Sequence, residues 1–434
     1  MEAIQAKKAR TEWDVRASNY ALSTFNPIRS IVDGMKLTPH PDKPMIALSI
    51  GDPTVFGNLP VPEAAEDAII KALKTRTYNG YGPSTGYEKA RAAVAEYVST
   101  QTTKVEARDV VLCSGCSGAL DLCITVLANP GQNILMPRPG FSIYKTLAES
   151  LGVTVKTYDL LPEKSWEIDL DNLTELIDDH TAGIVVNNPS NPCGSVYSEE
   201  HLKDVLAIAS KFKVPIIADE IYEHFVFDGF QYHSMASLTT EVPIVSCGGL
   251  TKRFLVPGWR MGWIVVYDRN NTLSEIRQGL TSLSQRILGP NTLVQAALPD
   301  ILNNTPAEFF HDTVQYIQKN AALFYKRLCA VPGLKPVMPQ GAMYMMVGID
   351  MAGFPEYSTD VEFTEAMVTE QSVFCLPATC FQYPGYFRVV LTVPADKVDE
   401  ACNRIEEFCN QHFSKSANGA TECTGNGTTE ITGK

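Results

Sequence analysis

No stretch of the chain approaches the roughly 18 consecutive apolar residues that a membrane span requires, so nothing in it reads as a transmembrane helix. Basic residues are in deficit: 36 Lys and Arg face 49 Asp and Glu, a net charge of −13. An acidic surface repels polyanions, and the densest basic cluster, AKKAR at 6–10, is too short to make a nucleic-acid stripe. Neither nucleic acid nor a membrane is expected as a partner. The opening MEAIQAKKARTEWDV lacks the apolar core of a secretory signal. Glycine (29) and proline (27) are too few for a collagen-like or low-complexity chain. The eleven cysteines follow no disulfide framework and sit scattered in apolar runs, as at Cys113, Cys123 and Cys375. Reduced thiols in a cytoplasmic protein are the expected state.

What is present is an ordinary globular composition. With 45% hydrophobic residues over 434 positions, the chain can bury two to three folding units without a covalent staple. From about residue 46 to 410, short β-branched runs alternate with longer amphipathic stretches. Seven strands are expected, at 109–113, 133–136, 154–158, 183–186, 215–218, 244–246 and 262–267. Helices are expected at 62–74, 87–99, 117–127, 144–151, 198–211 and 274–288, with a long one near 306–331. Apolar strands separated by helices argue for an α/β domain whose mostly parallel sheet is covered on both faces. Beyond it, GAMYMMVGID, SVFCLPAT and FRVVLTV read as strands of a smaller α+β domain. The expected division is a mobile tail at 1–20 and a segment at 21–60 that serves the small domain and the site. A large domain at 61–320, a small domain at 321–413 and a disordered Gly/Thr-rich tail at 414–434 complete it.

Several strand ends carry chemistry. In SCGGLTKRFLVPGWRMGW (246–263), Lys252 follows two glycines and Arg260 follows Pro257-Gly258. A lysine alone reads as surface; in a glycine-rich strand-end loop with an arginine, it can form a Schiff base beside a phosphate. In PIIADEIYEHF, Asp219 ends an apolar strand, where open α/β sheets bind ligands. Its plainer reading is a helix cap. Tyr222 follows one turn later, and IVVNNPSNPCG projects Asn191 from another strand end. The Ser114-Gly115-Cys116 turn opens an apolar helix and makes an anion seat. A Cys-x-x-Cys reading of Cys113 and Cys116 has no second pair to support a zinc site. Phe141 can stack on a flat heterocycle, and Arg388 heads an apolar strand where it can bind a carboxylate. Together these are the parts of a pyridoxal phosphate site.

At this point the sequence resembles the fold-type I, class I aminotransferases over roughly residues 20–413. The resemblance rests on TFNPIRSIVD, LSIGDPTVFGNLP, YNGYGPSTGY, PRPGFSIYKTLAES, NNPSNPCGSV, SCGGLTKR, QRILGP and FCLPATCF. It implies an α/β fold: a large domain with a mostly parallel seven-stranded sheet flanked by helices, plus a smaller α+β domain. It also implies that Lys252 holds pyridoxal 5′-phosphate, Asp219 keeps the ring nitrogen protonated, and Asn191 and Tyr222 bond the ring hydroxyl. Ser114, Gly115, Cys116 and Arg260 would grip the phosphate, joined by Tyr81 from the neighbouring subunit of a homodimer, with Phe141 on the ring. Arg388 would clamp the substrate α-carboxylate, with Gly51 and Asn191 completing that pocket. Many members carry a serine three residues before the lysine; here Gly249 stands there, and Thr251 or Ser246 is left to supply the hydroxyl.

The implied reaction is ping-pong transamination of L-tyrosine with 2-oxoglutarate to 4-hydroxyphenylpyruvate and L-glutamate, in tyrosine and phenylalanine breakdown. A kynurenine- or alanine-type transaminase or a C–S lyase would share the site, and a non-catalytic cofactor-binding regulator is the rival from another class. A pocket taking both a neutral phenol and a second carboxylate needs a partly solvated cation near its mouth. Arg286, five residues before Asn291, is the expected one, reaching in from the partner subunit.

Overall fold

A computed structural model describes residues 15–414. Most of the expected N-terminal tail, with AKKAR, and all but Ser414 of the C-terminal one lie outside the described residues. Helices α1 (Asn19–Ser23) and α2 (Pro27–Gly34) and the short strand β1 (Ile46–Ala47) precede α3 (Glu63–Thr75) and α4 (Glu88–Val98). The central run begins with β2 (Val110–Ser114), α5 (Gly115–Leu127), β3 (Asn133–Arg138), α6 (Ile143–Ser150), β4 (Thr154–Leu161) and β5 (Glu167–Ile168). It continues through α7 (Leu170–Leu176), β6 (Thr181–Asn187), α8 (Glu199–Phe212), β7 (Ile216–Asp219), β8 (Ile244–Gly249) and β9 (Met261–Tyr267). Helices α9 (Ser274–Ser284), α10 (Thr292–Asn304) and α11 (Ala307–Cys329) lead to β10 (Leu334–Pro336) and β11 (Tyr344–Ile349). The described chain closes with α12 (Asp360–Gln371), β12 (Val373–Phe374), β13 (Leu376–Pro377), β14 (Tyr386–Val390) and α13 (Ala395–His412).

All seven expected strands are present, in the order β2-β9-β8-β7-β6-β3-β4, and the two-residue β5 adds an eighth at the edge. Strands β8, β7, β6, β3 and β4 run parallel; β9 alone is antiparallel to both of its neighbours, β2 and β8. Every residue of β7, β8 and β9 is buried, as a sheet covered on both faces requires. Alternate side chains serve two cores: Val111 and Cys113 pack with α5 and α11 residues, Val110 and Leu112 with α3, α4 and α8 residues. Helix α8 shows why these segments are helical. Ser198 caps it by accepting from the His201 N–H, glutamates open it, and Leu202, Val205, Leu206 and Ala209 form one buried stripe. Burying each of its two leucines is worth about 2 kcal/mol.

Two helices depart from expectation. The one expected at 274–288 ends at Ser284, and α10, with Pro299 inside it, is an additional helix. Proline removes a donor and ordinarily breaks a helix. Here Asn291 caps the start, accepting from the N–H groups of Leu293 and Val294, and the helix packs on α3 and α4.

A second, antiparallel sheet has the order β10-β11-β14-β13 and packs with α11 and α12. Strand β1 pairs in parallel with β12, and the Val390 N–H donates to the Leu48 carbonyl at 2.9 Å. The segment after α2 is thereby tied to the end of the chain. No helix among the described residues is long and apolar enough to cross a membrane, and ten described cysteines are free.

Candidate active site

The sheet directs its chemistry to one edge. Ser114, Asn187, Asp219 and Gly249 end β2, β6, β7 and β8 on the carboxyl side. Because β9 runs the other way, its start meets them there, with Met261 opposite Ser114 and Gly262 opposite Gly249. The connection from β8 to β9 therefore stays at that edge with both Lys252 and Arg260. A cavity of about 550 Å³ opens beside it, lined by these two, Asp219, Asn191, Tyr222 and Arg388.

Asp219 is no helix cap, since turns rather than a helix follow β7. Its carboxylate accepts from the Tyr144 hydroxyl at 2.6 Å, the Ile221 N–H at 3.2 Å and the Cys116 thiol at 3.6 Å. Burial pushes its pKa up, outweighing those hydrogen bonds and the charge of Lys252. No cation pairs with it among the described residues.

Lys252 donates through Nζ to the Gly51 carbonyl, and the amine sits 5.9 Å from the centroid of the Tyr222 ring. The Tyr222 hydroxyl lies 2.7 Å from that of Tyr344, and burial pushes the Tyr222 pKa up. Arg388 is 4% exposed. It donates through Nη1 to Asn191 Oδ1 at 2.9 Å and through Nη2 to the Ser49 carbonyl at 2.7 Å. Its guanidinium lies 4.2 Å from the Tyr344 ring centroid, with Phe381 at 5.1 Å. Its Nε is buried with no partner among the described residues, and burial lowers its pKa. A buried guanidinium without a carboxylate is costly unless a ligand supplies one.

The anion seat is built by glycines. Gly115 adopts φ +71°, and a Cβ there would come within 2.5 Å of Arg260 Nη2. A Cβ on Gly262 would lie 2.3 Å from the Gly115 carbonyl carbon. Among the described residues Arg260 donates only to carbonyls, Pro257 at 3.0 Å and Ser114 at 3.2 Å. Ser114 gives α5 no side-chain cap, so the N–H groups opening the helix are unspent. The Ser246 hydroxyl donates to Glu220 at 2.5 Å and is committed elsewhere. Thr251 lines the cavity, and its hydroxyl is buried without a partner among the described residues.

Phe141 lines the cavity, edge-on to Tyr144 at 5.9 Å. Two expected residues stand outside it. Tyr81 is 93% exposed, and Arg286 lies exposed beyond the end of α9, its charge acting on Asp121. Four residues that the sequence did not single out belong to the site: Tyr144 beneath Asp219, Tyr344 beside Tyr222 and Arg388, and Ile28 and Arg29 of α2 on the cavity wall. Tyr144 looks like a core aromatic. Only its position three residues past Phe141, one helical turn on, hinted at a shared face.

A lysine, a buried carboxylate and an anion seat at the edge of such a sheet define a pyridoxal-phosphate enzyme of fold type I. The pattern of the family "Aminotransferase class I and II" matches residues 43–405, and the chain belongs to that family. It is 59% identical to the tyrosine aminotransferase of Homo sapiens over 421 residues, 97% of this chain and 92% of that protein. Identity to the tyrosine aminotransferase of Dictyostelium discoideum is 47% over 95% of this chain and 100% of that one. The crystal structure of tyrosine aminotransferase from Leishmania infantum superposes with a TM-score of 0.89 at 33% identity, covering 93% of this chain and 100% of that chain.

The cofactor of the family is pyridoxal phosphate, and the residues present fit it. Among the described residues, buried Asp219 has no paired cation, and the buried Thr251 Oγ1 and Arg388 Nε have no partners. At the anion seat, a Cβ on Gly115 would collide with Arg260.

Proposed function

We propose that the chain transfers the amino group of L-tyrosine to 2-oxoglutarate, giving 4-hydroxyphenylpyruvate and L-glutamate in ping-pong order, as a step of tyrosine and phenylalanine breakdown. The observation that carries this reading is the convergence of Lys252, Asp219 and Arg388, three residues far apart in sequence, on one cavity. The names of the relatives support the choice of tyrosine.

Pyridoxal phosphate, when bound, supplies a conjugated ring that takes up the electron pair released at the substrate α-carbon. Asp219 keeps a proton on the ring nitrogen, and its own bond from Tyr144 fixes the carboxylate for that task. Lys252 would hold the group through its Nζ, and the same amine would move the proton at the substrate α-carbon. Tyr222, with Asn191 through its amide N–H, bonds the ring hydroxyl, because the Asn191 Oδ1 already serves Arg388. Arg388 takes the substrate α-carboxylate, beside the Gly51 backbone. Arg260, the N–H groups at Gly115 and Cys116, Ser114 and the Thr251 hydroxyl bind the phosphate, while Phe141 covers the ring.

A homodimer completes the proposal. Tyr81, Ile287 and Leu288 line one hollow and are 93%, 80% and 51% exposed, an apolar group suited to a second copy. From there Tyr81 would reach the second copy's phosphate. The free cysteines suit a reducing, cytoplasmic setting.

The test is the visible spectrum of the purified protein with tyrosine, alanine and cystathionine in turn. Tyrosine is expected to convert the bound chromophore fully and 2-oxoglutarate to restore it. Preferential conversion by alanine, or pyruvate release from cystathionine, overturns the tyrosine assignment. No conversion by any amine makes the chain a binding protein.

A further inference from the structure

We infer that Arg29 reads the distal carboxylate of the dicarboxylic amino acceptor, an inference that rests on the transamination reading above. Four cations line the cavity: Arg29, Lys252, Arg260 and Arg388. Three have tasks, at the amine, the phosphate and the α-carboxylate. Arg29 is the one left over. It is exposed, and its guanidinium has neither an ion pair nor a side-chain hydrogen bond among the described residues.

The helix that carries Arg29 is anchored while the side chain is not. Asn26 caps α2 by accepting from the Arg29 N–H at 3.2 Å, and Pro27 opens it with its φ already set. Downstream, Met35 is buried against Val368 and Phe374. Ile28 and Val32, four residues apart, line the same cavity on either side of Arg29 in sequence. One wall therefore presents two apolar side chains and a solvated guanidinium on a long flexible stem.

That combination meets the two demands of the reaction. A phenol rests on Ile28 and Val32, and Arg29 keeps its water, so no unpaired charge is buried. A distal carboxylate instead draws the guanidinium inward and gains paired, charge-assisted bonds. A fully buried arginine would reject the phenol, and an apolar wall would reject the carboxylate. Arg286 lies outside the cavity of its own chain and would act only from a second copy.

The test uses the holoenzyme with Arg29→Gln and Arg29→Lys, each checked for an unchanged cofactor spectrum. Arg29→Gln is expected to raise KM for 2-oxoglutarate at least tenfold while KM for phenylpyruvate, an acceptor without a distal carboxylate, moves less than twofold. Inhibition by glutarate should weaken in parallel, inhibition by 4-hydroxyphenylpropionate should not, and Arg29→Lys should recover part of the loss. Equal changes for both acceptors, or none, overturn the assignment. The same split appearing in Arg286→Gln instead gives the role to the partner's arginine. Failure of the wild-type protein to convert tyrosine at all is a different result: it removes the transamination reading and this inference with it.

Discussion

Tyr144 donates its phenolic proton to Asp219 across 2.6 Å, and both side chains are buried. The pair joins the first turn of α6 to the end of β7, and burial raises the pKa of both groups. Tyr144→Phe keeps the ring and removes one bond to a charged group, worth about 1.5–3 kcal/mol in isolation. The Ile221 N–H still holds the carboxylate, so kcat/KM should fall about tenfold. Asp219→Asn, which cannot hold the ring proton, should cost at least about a hundredfold. Steady-state kinetics with tyrosine check both. A Tyr144→Phe variant equal to wild type makes that bond a matter of packing alone.

Near the seat, where Gly249 supplies no hydroxyl, Thr251 offers a buried one without a partner among the described residues. Thr251→Val keeps the volume and loses the donor. The cofactor should then dissociate about tenfold more readily, the effect of one bond to an ionised phosphate. Thr251→Ser should bind as wild type. Equilibrium dialysis and the phosphorus resonance of the bound cofactor read this without turnover. Unchanged binding in Thr251→Val frees the phosphate from any hydroxyl on that side.

Arg388 sits between aromatic rings with two of its nitrogens already on Asn191 and Ser49. Arg388→Lys replaces a planar fork by a point charge and abandons the stacking. KM should rise about a hundredfold for tyrosine and 2-oxoglutarate alike, since both share an α-carboxylate. The cofactor spectrum should not change. A rise confined to one substrate contradicts the shared role.

Far from the site, the ring nitrogens of His412 lie 2.7 Å from Glu356 and 2.8 Å from Glu370. Burial alone would lower its pKa, but the bonds and charges of Glu370 and Glu356 outweigh it and raise the pKa above 6.5. The folded protein therefore holds this proton more tightly than the unfolded chain. The stabilisation is complete below about pH 6.5 and drains away as pH rises through the folded value. Solvent screening at the exposed Glu356 limits it to on the order of 0.5 kcal/mol. The melting temperatures of wild type and His412→Gln should differ at pH 6 and converge by pH 9. A constant difference would exclude the titration.

Much of this was legible in the residues because strand ends announce themselves. The runs before Ser114, Asn187, Asp219 and Gly249 are apolar enough to be nothing but buried strands, and polar groups follow at once. The hydroxyl on the phosphate side was left open between Ser246 and Thr251, and only packing shows Ser246 turned to Glu220. Tyr344 carried no signal and Tyr144 only its spacing from Phe141, since a tyrosine in an apolar segment looks like core until its hydroxyl partner is known. Arg29 was hidden for a different reason: a surface arginine on a short helix becomes a wall residue only when α2 is brought against Phe381 and its neighbours.

The cavity draws its walls from Ile28 to Arg388, and β1 waits for β12 across more than three hundred residues. During synthesis, Lys252 leaves the ribosome well ahead of the strand that carries Arg388. The large sheet can form while its lysine, carboxylate and anion seat still face open water. Recognition of the amino acid waits for the far side of the enclosure. Catalytic competence thus comes late in the life of the nascent chain, all at once, and an interrupted translation product has no working pocket to release into the cell.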